Sequence, residues 1–412
     1  MSTSRFLIFV CGVCGALVII ASVLIAPAWT APESHLMNSR SELPVNQTGK
    51  SWYFAVSGDS RDCGDLVMPK IAKSIENISS RTPVEFYWHM GDFRRMFDID
   101  CDMLKRKYPN FDCVTRSGGG LGPDEMNEYL DAAWDDFIKN QIAPFGKTPV
   151  FLGIGNHELL ANRTRNEYRR KFQKWLTQQP LHDQRNYDAA NYHLYTNEGD
   201  TYYHFIKNGV DFIYLDNADA TEFDAAQINW LSEVLKADGA AETAPSARKN
   251  DVTTIVVGMH AALPYSKSRN HGMDATCQGV CSGRQVYDML RRAQTVFGKK
   301  IYALASHSHY FQENIFETQQ LEGQSIQGWL VGTAGAEQYK SDFWQSIQYG
   351  YLLIEVRADG TLNPRFNPVT RDMPPQATGE GAASLTTFCY EKNMRPATND
   401  AFTGSCACGA IN

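Results

Sequence analysis

A chain of 412 residues with 43% apolar side chains and ordinary Gly and Pro content has enough material for one large α/β domain or two smaller ones, which excludes a disordered polymer. The formal charge of −7 is spread without long blocks, and no Lys/Arg-rich stripe stands out, so the composition argues against a nucleic-acid partner. Acidity says little about the substrate, because bound cations invert the local field of a site built from carboxylates.

Met1 to Ala31 reads as a targeting segment: Arg5 precedes an uncharged run from Phe6 to Ala28, and Ala26-Pro27-Ala28 offers a small-x-small cleavage site. The run is also long enough to span a bilayer, so a cleaved signal peptide and a retained membrane anchor through residues 6–28 are both open. Residues 32–50 are polar and turn-rich, a linker. Residues 51–372 are expected to form the catalytic domain, and 373–412 a Cys-containing C-terminal tail.

A strand is expected from Trp52 to Ser57, stopping at Gly58-Asp59-Ser60-Arg61. Leu66, Val67, Ile71, Ile75 and Ile78 follow on a helical spacing, with Asp65 as a cap. The second strand, Val84 to Met90, ends at Gly91-Asp92. Arg94 to Pro123 breaks this rhythm and reads as an insertion at the rim of a site. Its Asp98-x-Asp100-x-Asp102 lacks the Gly that a calcium loop needs at its sixth position, where Met103 sits, so a solvated acidic loop is expected. A helix from Asp124 to Ile142 leads into a short apolar strand at Val150, which ends abruptly in Gly155-Asn156-His157-Glu158. Glu158 is expected to fix the His157 tautomer and raise its pKa.

Glu167 to Leu176 reads as helical, and Asn208-Gly209 is a hairpin signal between the strands Thr201 to Ile206 and Val210 to Leu215. A helix from Asp224 to Lys236, a surface loop from Ala237 to Asp251 and a strand from Val252 to Val257 ending at His260 come next. A second insertion holds His271, Cys277 and Cys281 ahead of a helix from about Arg284 to Phe297. Lys300 to Ala305 is a strand that delivers Ser306-His307-Ser308-His309. Late strands at Trp329 to Val331, Tyr351 to Val356 and Thr361 to Phe366 precede a tail expected to wrap the surface. His89 is expected in the core, and His182, His193, His204 and His271 show no ligand spacing. Asp216 and Asn217 stand at a strand end that would line the cleft.

Of ten cysteines, Cys11 and Cys14 lie in the leading apolar run; Cys63, Cys101, Cys113, Cys277, Cys281, Cys389, Cys406 and Cys408 remain. An even number in an exported chain points to disulfides, and eight allow about a hundred full pairings among which the sequence does not choose. The set lacks two clean Cys-x-x-Cys pairs, which argues against structural zinc.

Collected, the strand ends carry Asp59, Asp92, Asn156 with His157, His260, and His307 with His309. Mixed oxygen and imidazole donors suit Mn, Fe, Zn or Co better than calcium, which prefers oxygen alone. Two cations sharing a carboxylate would sit about 3.5–4 Å apart and hold a hydroxide between them, which is the chemistry of a hydrolase.

In this order the motifs Gly58-Asp59-Ser60-Arg61, Gly91-Asp92-Phe93-Arg94-Arg95, Gly155-Asn156-His157-Glu158, His260 and Ser306-His307-Ser308-His309 resemble those of the calcineurin-like metallophosphoesterases, the superfamily that includes the purple acid phosphatases. The resemblance covers nearly everything from Trp52 to about Asn367. It implies an α/β fold of two facing mixed β-sheets flanked by helices, a four-layer sandwich. It also implies two transition-metal ions: Asp59 and His309 on the first, Asn156, His260 and His307 on the second, Asp92 bridging, and His157 touching substrate and protonating the leaving oxygen.

Two positions depart from the family pattern. Arg61 stands where a metal-binding His is usual, and Arg95 where a Tyr or Asp follows the bridging Asp; a guanidinium stays protonated and cannot coordinate a cation. Either arginine would instead grip a phosphate oxygen, or pair with Asp62 or Asp98 at the surface. The expected function is an exported metal-dependent phosphoester hydrolase, most simply a phosphomonoesterase using a metal-bound hydroxide on a small-molecule substrate. The alternatives are a phosphodiesterase or nucleotidase of the same superfamily, or a non-catalytic metal-binding surface protein. The two insertions would set substrate choice.

Overall fold

Among the described residues, thirteen short strands, many of them carrying aromatic and β-branched residues, build the framework of the computed structural model. It describes residues 50–114, 122–194, 196–197, 199–240, 252–268, 271–340, 348–396 and 406–408. In chain order the strands are β1 (Trp52–Ser57), β2 (Val84–His89), β3 (Val150–Leu152), β4 (Tyr203–Lys207), β5 (Val210–Leu215), β6 (Thr254–Met259), β7 (Lys300–Ala305), β8 (Phe311–Glu313), β9 (Gln327–Val331), β10 (Gln338–Lys340), β11 (Gly350–Val356), β12 (Leu362–Pro368) and β13 (Met394–Pro396). The targeting segment, most of the linker, Gly118 to Gly120 and most of the loop after Ala237 lie outside the described residues. Among the described residues no helix is long and apolar enough to cross a membrane.

One sheet runs β12-β11-β1-β2-β3 and the other β4-β5-β6-β7-β9-β8. Both are mixed. β1, β2 and β3 are parallel while β11 and β12 are antiparallel, and β5, β6, β7 and β9 are parallel while β4 and β8 are antiparallel. Parallel neighbours need crossovers, and helices such as Gly64–Ser79 and Ala225–Ala237 supply them.

The sheets meet through an aromatic layer. Alternate residues of β1, β2 and β3 send Phe54, Phe86 and Phe151 onto Phe205 and Phe212 of the hairpin β4-β5, with Phe86 to Phe212 at 5.1 Å and Phe151 stacked on Phe205 at 4.3 Å. Polar tips of buried aromatics then lock the sheets in register. Trp88 Nε1 donates to Tyr203 Oη (2.9 Å), whose own hydroxyl donates to the Leu152 carbonyl (3.1 Å), and Tyr214 Oη donates to the Ile154 carbonyl (2.9 Å). These bonds hold the end of β3 beside β4 and the end of β5, close to where the polar motifs emerge.

Several elements differ from the sequence expectations. The helix expected from about Arg284 begins at Cys277, so Cys277 and Cys281 belong to its first turns. A Cβ on Gly283 would lie 2.5 Å from Pro264 Cδ, so here glycine permits close helix packing and does not break the helix. The first insertion carries a helix, Cys101–Lys107, and its Asp100 and Asp102 are fully buried, against the expected solvated loop. Asp102 pairs with Arg94 at 2.9 Å, and Asp100 accepts from Tyr129 Oη at 2.8 Å.

The cysteines pair as Cys63–Cys389, Cys101–Cys113, Cys277–Cys406 and Cys281–Cys408. The tail is therefore pinned, and it also penetrates. Asn393 is buried and donates to Tyr349 Oη (2.9 Å), and β13 pairs in parallel with β10 at the rim of the site.

Candidate metal and active site

Each parallel strand of interest ends in a turn that throws a polar residue into one pocket, and the turns are tight enough to force unusual backbone. Asp59, Asp92, His307 and His309 all have positive φ, between 50° and 67°. Non-glycine residues rarely adopt this conformation, and it persists only where the surroundings over-determine it. The turns brace one another: Asp59 N donates to the Gly91 carbonyl (3.0 Å) and Ser60 N to the Asp92 carbonyl (2.9 Å). Gly155 has no alternative residue, since a Cβ there would lie 2.4 Å from Asp92 Oδ1.

His260 is the hub. Its Nδ1–H donates to the Met90 carbonyl (2.8 Å), which leaves the Nε2 lone pair facing the pocket. Within reach of Nε2 stand Asn156 Oδ1 (3.0 Å), His307 Nδ1 (3.1 Å) and Asp92 Oδ1 (3.2 Å). Donors that surround one cation at about 2.0–2.2 Å must lie roughly 3 Å apart. Ligand atoms of Asp59, Asp92, His260 and His307 all fall within 4.8 Å of one another.

Charge fits the same reading. Among the described residues Asp92 Oδ2 and Asp59 Oδ1 are buried and accept no hydrogen bond, a costly condition for carboxylate oxygens unless a cation neutralises them. Burial alone would lower the His260 pKa, yet Asp92 and Asp59 outweigh it and push the imidazole up to about 9. Burial would likewise raise Asp92, but His157, His260 and Arg61 hold it well below the usual carboxylate range. The pocket is short of positive charge, and the donor set suits a transition metal.

His157 and Arg61 stand beside these donors. Arg61 is only 7% exposed; its Nη1 contacts the His157 ring, and its Nη2 lies 2.8 Å from His309 Nε2. His157 Nδ1–H donates to the Arg95 carbonyl, leaving Nε2 toward the centre, 3.6 Å from Asp92 Oδ2. The expectation for Glu158 fails. Its carboxylate accepts the backbone N–H groups of Asp92 (2.9 Å), Phe93 (2.8 Å) and Gly155 (2.8 Å), so it shapes the loop and leaves His157 to Arg95. Nor is the His157 pKa raised: burial, then the Arg61 charge, lower it to about 3. The Arg95 guanidinium, for its part, pairs with Asp62 at 3.1 Å, the partner expected for it, but the pair is mostly buried and not at the surface.

Four contributors escaped the sequence reading. His271, from the second insertion, lies with its ring 5.0 Å from His307 and 4.9 Å from Tyr339, and Tyr339 stacks on His309 at 4.5 Å. Ser306 donates its hydroxyl to Asp59 Oδ2, which also accepts the His307 N–H at 2.7 Å. Phe97, 56% exposed, holds its ring 5.3 Å from His157. Ser306 stands inside a motif the sequence singles out; the other three stand in or beside irregular segments with no spacing to mark them. Asn217 does not line the cleft. Its Oδ1 accepts the His260 and Ala261 N–H groups, both at 3.1 Å, and so sets the backbone that carries the hub. His204 is held by Asp188 (2.6 Å) and Asp211 (2.9 Å), and His89 by Ser60 Oγ (3.0 Å).

No curated protein sequence matches the chain. Among solved structures it is similar to a purple acid phosphatase isolated from yellow lupin (Lupinus luteus) seeds, at 13% identity and a TM-score of 0.48, over 78% of this chain and 52% of the lupin chain, about half that protein's length. It is also similar to a hypothetical protein from Pyrococcus horikoshii, at 13% identity and a TM-score of 0.30, over 77% of this chain and 87% of that one. A predicted phosphoesterase from Streptococcus pneumoniae matches at 8% identity and a TM-score of 0.26, over 77% of this chain and 99% of that one. The family model for calcineurin-like phosphoesterases matches residues 63–311, more than half of the chain, starting two residues past Arg61. With two facing mixed sheets, and motifs in the family's order, this chain belongs to the calcineurin-like phosphoesterases.

Proposed function

We propose that the protein is an exported, metal-dependent phosphomonoesterase acting on small-molecule phosphoesters. One observation carries the reading: the donors of Asp92, Asn156, His260 and His307 share a pocket with an unpartnered carboxylate oxygen, beside a histidine and a buried guanidinium. Asp92, Asn156, His260 and His307 would hold a Mn, Fe, Zn or Co ion, and Asp59 and His309 are the remaining donors for a second. Such an ion, when bound, acidifies water toward neutral pKa and withdraws charge from a phosphoryl oxygen.

The chain's own side chains supply orientation and proton transfer. Arg61 offers its guanidinium at low dielectric, where attraction to a phosphate oxygen is strongest. His157 is steered by the Arg95 carbonyl so that Nε2 points into the pocket, where it meets Arg61 Nη1. Burial and the Arg61 charge lower its pKa to about 3, so it is neutral in the free protein, and delivery of a proton to the leaving alkoxide would require Arg61 Nη1 to turn from Nε2 to the substrate. Phe97 gives an apolar leaving group a platform. A monoester dianion matches a cation plus Arg61 better than a diester, which carries one charge and a second bulky group. Export is supported by the four disulfides among the described residues, which an oxidising compartment preserves. Residues 6–28 would then be a cleaved signal or an anchor.

Loaded with one of the four metals, the protein should hydrolyse p-nitrophenyl phosphate with a kcat/KM well above that for the bis ester, lose activity on chelation and regain it with metal. A preference for the bis ester would make it a phosphodiesterase. Absence of turnover with every metal would leave a non-catalytic metal-binding protein.

A further inference from the structure

We infer that the Arg61 guanidinium takes the place of the second cation, so that this chain holds one metal ion beside a built-in positive charge; the inference rests on the metal-dependent reading above. The two halves of the centre are unequally equipped. On one side Asp92, Asn156, His260 and His307 present four donors. On the other, among the described residues that the family motifs supply, Asp59 and His309 remain, and both are already engaged.

His309 donates Nδ1–H to the Glu337 carbonyl at 2.7 Å, so Nε2 is the only ring nitrogen with a lone pair for a cation. Arg61 Nη2, 2.8 Å away, donates into that lone pair. Asp59 has spent Oδ2 on Ser306 Oγ and the His307 N–H, which leaves Oδ1, 3.3 Å from His309 Nε2. A metal bound through His309 Nε2 would have to displace Arg61 Nη2 from that lone pair. Arg61 cannot yield by losing its proton, because a guanidinium stays protonated in proteins.

The exchange is chemically coherent. A buried guanidinium next to Asp59 and Asp92 neutralises the charge that the second ion would neutralise. Its Nε–H is buried without an acceptor among the described residues, a vacancy that a phosphoryl oxygen would satisfy. Arg61 thereby does two tasks of the missing ion, charge balance and substrate binding, while the water-acidifying task stays with the ion on the His260 side.

The test counts ions. Full-length protein is stripped with chelator, reloaded with excess Mn(II), desalted, and examined by elemental analysis and electron paramagnetic resonance. We expect one ion per chain with the spectrum of an isolated Mn(II). In Arg61→His, which restores a ligand and frees His309, we expect a second ion and exchange coupling between the two. Asp59→Asn in the Arg61 background should leave the count at one. Two coupled ions in the unmodified protein would overturn the inference, as would a folded Arg61→His chain that stays at one. If Arg61→His fails to fold, Arg61→Ala replaces it, and no added Mn(II) at any concentration would count against Arg61 as the blocking group. No ion in any of these proteins would instead bring down the metal-dependent reading itself.

Discussion

His260→Ala is expected to empty the metal centre and to lower kcat/KM by well over about 100-fold, beyond what loss of an outer-shell partner of a metal ligand costs. The expectation follows from position. His260 Nε2 stands within 3.2 Å of Asp92, Asn156 and His307 donors at once, so its removal takes away the atom they share and leaves Asp92 facing a void. Its Nδ1–H bond to the Met90 carbonyl also ties the end of β6 to the end of β2, so some loss of thermal stability should accompany the loss of metal. Elemental analysis and p-nitrophenyl phosphate turnover on the folded variant check this directly. A variant that keeps a full complement of metal would place the ion elsewhere.

Arg94→Leu should produce the largest loss of stability, about 3–5 kcal/mol, the usual result of removing one partner from a buried charge cluster. Arg94 is completely buried and binds Asp65 (2.6 Å), Asp102 (2.9 Å) and Asp136, with Asp100 at 3.7 Å. Burial and neighbouring carboxylates already hold Asp102 well above the ordinary carboxylate range, and Asp65 and Asp100 are raised too. Without the arginine, which lowers all three, they rise further. A carboxyl whose pKa in the fold exceeds its unfolded value costs stability progressively as pH rises from the unfolded value to the folded one, so the penalty should be smaller at about pH 5 than at about pH 8. Urea unfolding at the two pH values measures it. Equal stability of variant and parent at about pH 8 would refute the role given to the cluster.

Most of the framework was legible because strand ends and apolar periodicity coincide: β1 and β7 lie where their aromatic and aliphatic runs predict, and each ends at its motif. The helix Gln179–Tyr192 was invisible because its buried face carries one apolar residue, Leu181, beside two polar ones. Gln184 and Asp188 point inward, where Gln184 accepts the Ile206 N–H at 3.1 Å and Asp188 holds His204, so no apolar stripe marks it. The donors around His260 were readable from motif order. The partner of His157 was not, since a backbone carbonyl from a residue 62 positions away leaves no trace in side-chain pattern. Arg61 was visible as a departure, but only the geometry around His309 turns it from a missing ligand into a competing charge.

The most direct measurement is a crystal structure of metal-loaded protein with anomalous scattering recorded at the absorption edge of the metal. The account predicts a peak bonded at about 2.0–2.2 Å to His260 Nε2, His307 Nδ1, Asn156 Oδ1 and an Asp92 oxygen. A peak distant from all four, or none while these side chains turn apart, would contradict it.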